Sequence, residues 1–177
     1  MRPLLSILLL AAAFAGATTL EKLTVEQMAQ KATAVVRARA TASTAVQRGS
    51  MIYTVYQLQV SETLKGALPQ GAAEVYVPGG TYGRYRQSIA GSPVLAPGVE
   101  YVLFLWASPR GLVQVIGLSQ GVFEIKAGGG QTLLVRGKLE AEFVDRTGRA
   151  VEDNGIRLSL ESLREIVARV VAQGERQ

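Results

Sequence analysis

The rhythm of apolar and polar positions divides this chain into elements. Leu23-Thr24-Val25-Glu26-Gln27-Met28 carries a helix-start signature. Thr24 can cap, Gln27 three places on completes a capping box, and Leu23 with Met28 can form a hydrophobic staple. The helix is predicted to end near Lys31 or Ala32. Ala34 to Ala40 reads as a first strand whose small residues are compatible with strong curvature. Gln47-Arg48-Gly49-Ser50 marks a turn, and Met51 to Leu64 a long second strand. In its second half Tyr56, Leu58, Val60 and Leu64 share one face. Gln57, Gln59, Ser61 and Thr63 share the other, as in a sheet with one wet side. Its first half, Ile52-Tyr53-Thr54-Val55, is apolar on both faces and asks for a cover.

Lys65-Gly66 ends that strand, and Gly66 can take a positive φ without steric cost. Pro69 cannot donate to a ladder, so it belongs to a connection. Ala73 to Val77 is predicted as a third strand, halted by Pro78-Gly79-Gly80. Tyr101 to Trp106 is nearly all apolar, the mark of a core strand covered on both sides. Trp106 reads there as a core residue or an end plug. Leu112 to Ile116, Gly121 to Lys126 and Thr132 to Val135 follow as short strands between turns. Strands at this spacing argue an all-β barrel or sandwich. The period then changes. Ser159 can cap a helix with Leu160, Leu163, Ile166, Val167, Val170 and Val171 on one stripe. Gly174 ends it. The expected fold is thus mainly β, an OB-like antiparallel barrel with a short N-terminal helix and a C-terminal amphipathic helix.

Residues 78 to 97 are expected to form a long loop, and long loops in compact domains are either functional or disordered; the alternative to a contact surface is a solvated hairpin with two exposed bases. Tyr82, Arg84, Tyr85 and Arg86 fall within five residues of it, and Tyr and Arg are favoured where proteins bind partners. These four are the candidate binding residues.

The leading run changes the picture of compartment. Arg2 precedes an apolar stretch from Leu4 to Ala15 and then small residues, the layout of a secretory signal peptide. Cleavage fits after Ala15 or after Ala17, so residues 1–17 are expected to leave and 18–177 to form one domain. The stretch is shorter than the roughly 20 residues a membrane span needs. Export to the periplasm or beyond the cell is the expectation, with no membrane insertion after cleavage.

Composition narrows the chemistry. The 177 residues include no Cys and no His. Cys/His zinc sites and Ser-His-Asp or Cys-His machinery therefore cannot be built. The charge, 19 bases against 14 acids, is only mildly positive. No dense basic stripe suggests nucleic acid. Gly79-Gly80-Thr81-Tyr82-Gly83 lacks the Lys-Ser/Thr of a phosphate loop. Glu140, Glu142 and Asp145 lack the spacing of a calcium loop, and Glu152-Asp153 are read as partners for Arg149 or Arg157. No catalytic residues, metal or cofactor are expected.

The segments VVRARATAS, IYTVYQLQVSETLKG, AEVYVPGG, LAPGVEYVLFL and VIGLSQGVFEI together resemble a group of exported bacterial proteins. Their shared features are a long strand ending in Leu-Lys-Gly, a Pro-Gly-Gly stop and a Pro-Gly-x-Glu-Tyr strand entry. The match covers roughly residues 20 to 126. The layout is also similar to the netrin-like domain of tissue inhibitors of metalloproteinases. That resemblance implies an OB-type barrel and a protein partner, in one form a metalloprotease held by the mature N-terminus. The matching terminus here would be Thr18 or Gly16, where that family carries Cys. The expected role is a non-catalytic binding module for a protein partner. The alternatives are inhibition of a metalloprotease through the terminus, and a structural envelope protein assembling through the C-terminal helix.

Overall fold

The computed structural model describes residues 19–68, 73–109 and 111–174. The signal-peptide and cleavage-site expectations, and Pro69, lie outside the described residues. The elements run in this order: β1 (Thr19–Glu21), α1 (Val25–Lys31), β2 (Ala34–Arg48), β3 (Met51–Lys65), β4 (Ala73–Pro78), β5 (Gly80–Tyr82), β6 (Tyr85–Gln87), β7 (Glu100–Ala107), β8 (Val113–Val115), β9 (Val122–Gly128), β10 (Gln131–Arg136), β11 (Glu142–Val144), β12 (Ala150–Val151), β13 (Ile156–Ser159) and α2 (Leu160–Gly174). The fold is mainly β with one short and one longer helix, as the sequence pattern predicts. Among the described residues, no helix is long and apolar enough to cross a membrane.

The main sheet is ordered β13-β10-β9-β7-β2-β3-β4, all antiparallel, with β8 also paired to β7. One edge of β7 is shared. β9 takes Tyr101–Leu103 and β8 takes Leu105–Ala107. The sheet curls until β4 and β8 approach each other, yet they exchange no ladder hydrogen bonds. The expected barrel is therefore not closed by pairing, and a seam separates these two strands.

Both faces of the central strands are buried. Val35, Val102 and Phe104 face one core, shared with Met28 and Ala29 of α1 and Leu163 and Val167 of α2. Their neighbours Ala34, Val36, Leu103 and Leu105 face a second core with Tyr56, Leu58, Val75 and Leu95. Period-two alternation places adjacent residues in opposite cores. The sheet bends at three register shifts between β2 and β3. One of them passes over Ser61 and reverses the alternation. Leu64 consequently packs with the helix-side core, while Tyr56, Leu58 and Val60 stay with the other. The single-face expectation for these four residues fails at that bulge. The first strand is also longer than expected, because Ala42 to Arg48 continue pairing with β3 beyond the core.

α1 forms as its capping box dictates. Thr24 accepts from the Gln27 N–H, and the Gln27 side chain accepts from the Thr24 N–H. Its far end is capped across the fold. Lys65 Nζ donates to the carbonyls of Ala29 at 2.6 Å and Ala32 at 2.8 Å. A cation at a helix C-terminus satisfies orphan carbonyls and complements the dipole. Gly66, at φ +76°, presses so close to Thr33 that a Cβ would lie 2.0 Å from its carbonyl oxygen. The Lys-Gly pair thus joins the end of β3 to the α1–β2 corner.

Among the described residues, one ion pair is buried. Arg136 meets Asp153 through two bonds of 2.7 and 2.8 Å, and both side chains are almost fully enclosed. Leu139 N–H donates to the same carboxylate. Arg136 is thus the partner of Asp153, in place of the expected Arg149 or Arg157. The Arg136 guanidinium holds the Asp153 carboxyl at about 2, against a usual value near 3.8. A separate small sheet has β1 running parallel to β11, with β12 paired on β11's far side.

Gly66→Ala is expected to lose at least about 2 kcal/mol of stability, from a disfavoured φ plus a backbone clash; urea unfolding measures it. Asp153 stays ionised to lower pH in the folded chain than in the unfolded one. Its contribution, on the order of 2 kcal/mol, is therefore present above about pH 4 and fades as pH falls toward about 2. Asp153→Asn should flatten that acid limb while lowering stability at neutral pH by about 3 kcal/mol, because Arg136 is left buried without its counter-ion.

Candidate functional site

Within the expected loop of residues 78–97 the structure builds a short hairpin, β5–β6, the form given by the alternative reading of this segment. Pro78 ends β4, and Gly79 (φ +102°) and Gly80 (φ +138°) swing the chain into β5. A side chain at Gly80 would strike Thr54 Oγ1 at 2.6 Å, so this bend needs glycine. Three bonds fix the base. Gly79 N–H donates to the Ile52 carbonyl, Thr54 Oγ1 donates to the Gly79 carbonyl, and Ile52 N–H donates to Gln87 Oε1. Ser92 Oγ adds a bond of 2.7 Å to the Pro78 carbonyl. The hairpin is anchored on β3 at its base and free at its tip.

The tip carries the candidate residues. Gly83 (φ +58°) makes the turn, and Tyr82 and Tyr85 stand directly opposite each other in the ladder. They are 45% and 58% exposed, a high value for paired aromatics. Arg84 lies over the Tyr85 ring, 5.3 Å from its centre, and donates to its hydroxyl at 3.2 Å. Arg86 pairs with Thr81, which puts it on the opposite face of the hairpin. The structure therefore brings Tyr82, Arg84 and Tyr85 together and sends Arg86 to the other side. There it borders a cavity of about 290 Å³ behind the hairpin.

Two neighbouring features escape the sequence reading. On the outer side of β2, β3 and β4, Arg48 stacks over Tyr76 at 4.9 Å. Tyr76 packs edge-on against Tyr53 and donates to Glu74. The Glu74 carboxyl is held below its usual range, first by the Gln57 amide and then by Tyr76. Alternation along β4 could have shown Glu74 and Tyr76 on one face, but not their partners on two other strands. The second feature is an apolar groove of about 590 Å³ along the seam between β4 and β8. Trp106, Tyr76, Pro78, Pro93 and Leu118 line it. Trp106 is 41% exposed and walls the groove, so of the two roles expected for it, core residue or end plug, the core role fails. The last residues of β7 extend beyond the two cores, which run only to Leu105.

Of the remaining acidic candidates, Asp145 has a local duty. Asp145 accepts from the Thr147 hydroxyl and from the Thr147 and Arg149 N–H groups, closing the turn between β11 and β12. The Thr18 and Gly16 positions of the terminus lie outside the described residues. No protein-family model, curated protein or solved structure matches this chain.

Proposed function

We propose that this protein is an exported, non-catalytic binding module that recognises a protein partner through the β5–β6 hairpin. The observation that carries the reading is the exposed, ladder-paired Tyr82 and Tyr85 with Arg84 stacked on the Tyr85 ring, held on a base fixed by Gly79, Gly80 and Gln87. Aromatic residues and Arg are the side chains most enriched at binding hot spots. A stacked Arg and a ladder-paired Tyr lose little freedom on binding, which lowers the cost of association. Between Pro78 and Val99 the chain has no acidic residue. The surface therefore suits a partner with acidic groups around an apolar centre. A netrin-like relationship, proposed from the sequence layout alone, would make a metalloprotease one candidate partner.

The other two readings draw less support. Val167 and Val170 of α2 are buried in the chain's own core, so that stripe offers no free face for assembly. Thr19 to Glu21 are paired into a sheet, which gives a terminus-led inhibitor an anchored strand but no observed contact chemistry.

The test is capture from an envelope and secreted fraction with the purified protein as bait, followed by affinity measurement on the enriched partner. Arg84→Ala with Tyr85→Ala should leave the melting midpoint unchanged and weaken binding about thirtyfold or more, the scale of a hot-spot loss. Equal capture by wild type and the double variant would sink the hairpin reading.

A further inference from the structure

The seam groove is a second surface, separate from the hairpin tip. It has the size and the walls of a small-molecule site, mostly apolar with few polar groups. Its apolar lining comes from Trp106, Pro78, Pro93, Val115 and Leu118, and its polar lining includes Lys31 and Gln114. Lys31 is the one charged side chain that lines it. Glu21 lies 3.6 Å from Lys31, but the same carboxylate is also 3.6 Å from Arg146. Glu21 is thus shared by two bases, and Lys31, Glu21 and Arg146 together carry one net positive charge. Leu118 adds an independent sign. It is the sole non-glycine among the described residues with a positive φ, at +57°. A Leu held there is strained, and such strain gathers at ligand sites. Here it helps to keep an apolar side chain in the groove wall.

We propose that the seam groove binds a free single-chain amphiphile with one anionic head, a medium-chain carboxylate. Its tail lies along Trp106, Pro93 and Leu118, and its head meets Lys31 at the rim. Burying each methylene is worth about 0.8 kcal/mol, so the tail supplies affinity and the cation supplies the preference for an acid.

Trp106 is the only tryptophan of the chain, so its emission reports this groove without labelling. Decanoate titrated into the purified protein should shift that emission saturably, and decanol should bind several-fold more weakly. Lys31→Met should remove the difference between the two probes while keeping the decanol affinity. Leu118→Asn tolerates the same backbone and should keep the melting midpoint while weakening both probes. Three results would overturn the proposal. The first is an emission that decanoate does not move, and the second is equal affinity for acid and alcohol in the wild type. The third is an emission that depends on protein concentration without any probe, which would make a second copy of the chain the occupant. None of these outcomes bears on Arg84 or Tyr85, so the hairpin reading stands or falls separately.

Discussion

The constraint on which this fold depends is that β7 and the first half of β2 bury both faces. Tyr101 to Leu105 alternate between two cores, and Ala34 to Val36 do the same beside them. A strand buried on both sides needs a cover on each. One cover is the helix pair, α1 and α2, which delivers Met28, Leu163 and Val167. The other is the sheet itself, curling so that β3 and β4 bring Tyr56, Leu58, Val75 and Val77 over the second core. Curling requires local extra residues, and the three register shifts between β2 and β3 supply them. The seam follows from the same curl. The sheet bends far enough to bring β4 near β8 but not far enough to pair them.

This dependence explains which parts were legible from sequence. α1 was readable to within a residue because its signal is local: Thr24, Gln27 and Lys31 lie within one short segment. The α2 stripe and the two-faced Tyr101 run were readable because burial repeats along a single element. Leu64 was misplaced because a bulge at Ser61 leaves no mark in the alternation itself. The role of Lys65 was invisible for a different reason. Its partners, Ala29 and Ala32, are backbone carbonyls more than thirty residues away. A Leu-Lys-Gly ending could be recognised, but only the packed corner shows why it holds those residues. The candidate hairpin was legible as composition, and its geometry was not. Proximity of Tyr82 and Arg84 in sequence gave no hint that Arg86 would turn away.

Without Cys the chain has no disulfide to tie its termini, and polar contacts over long sequence distances take that part. Gln120 is almost fully buried and accepts from the Leu23 N–H while donating to the Glu21 carbonyl, so it fastens the entry to α1 onto the turn before β9. Arg136 and Asp153 fasten the end of β10 to the segment before β13. Removing one partner from such a pair costs more than the pair contributes, because the other stays buried and unmet. These contacts therefore specify where the outer segments sit more than they add net stability. β1 and β11, short and half-exposed strands, depend on that placement to find each other.

The hairpin and the groove meet at Pro78. It is the last residue of β4, it lines the seam groove, and it borders the cavity behind the hairpin. Pro93 lines both as well. A ligand filling the groove would press on the residue from which Gly79 and Gly80 launch the hairpin. Whether that pressure reaches Tyr82 and Arg84 depends on the base bonds. Gly79 and Gln87 are tied to Ile52, and Ile52 is buried on β3, away from the groove lining. The tip is thus referenced to β3, whereas the groove is shaped by β4, β8 and the end of β7. Coupling between two sites needs an element with two arrangements that both sites bias, and the base bonds to Ile52 and Thr54 give the hairpin an anchor on β3 besides its link to Pro78. Two such surfaces would share Pro78 and Pro93, while the hairpin keeps its own anchor on β3.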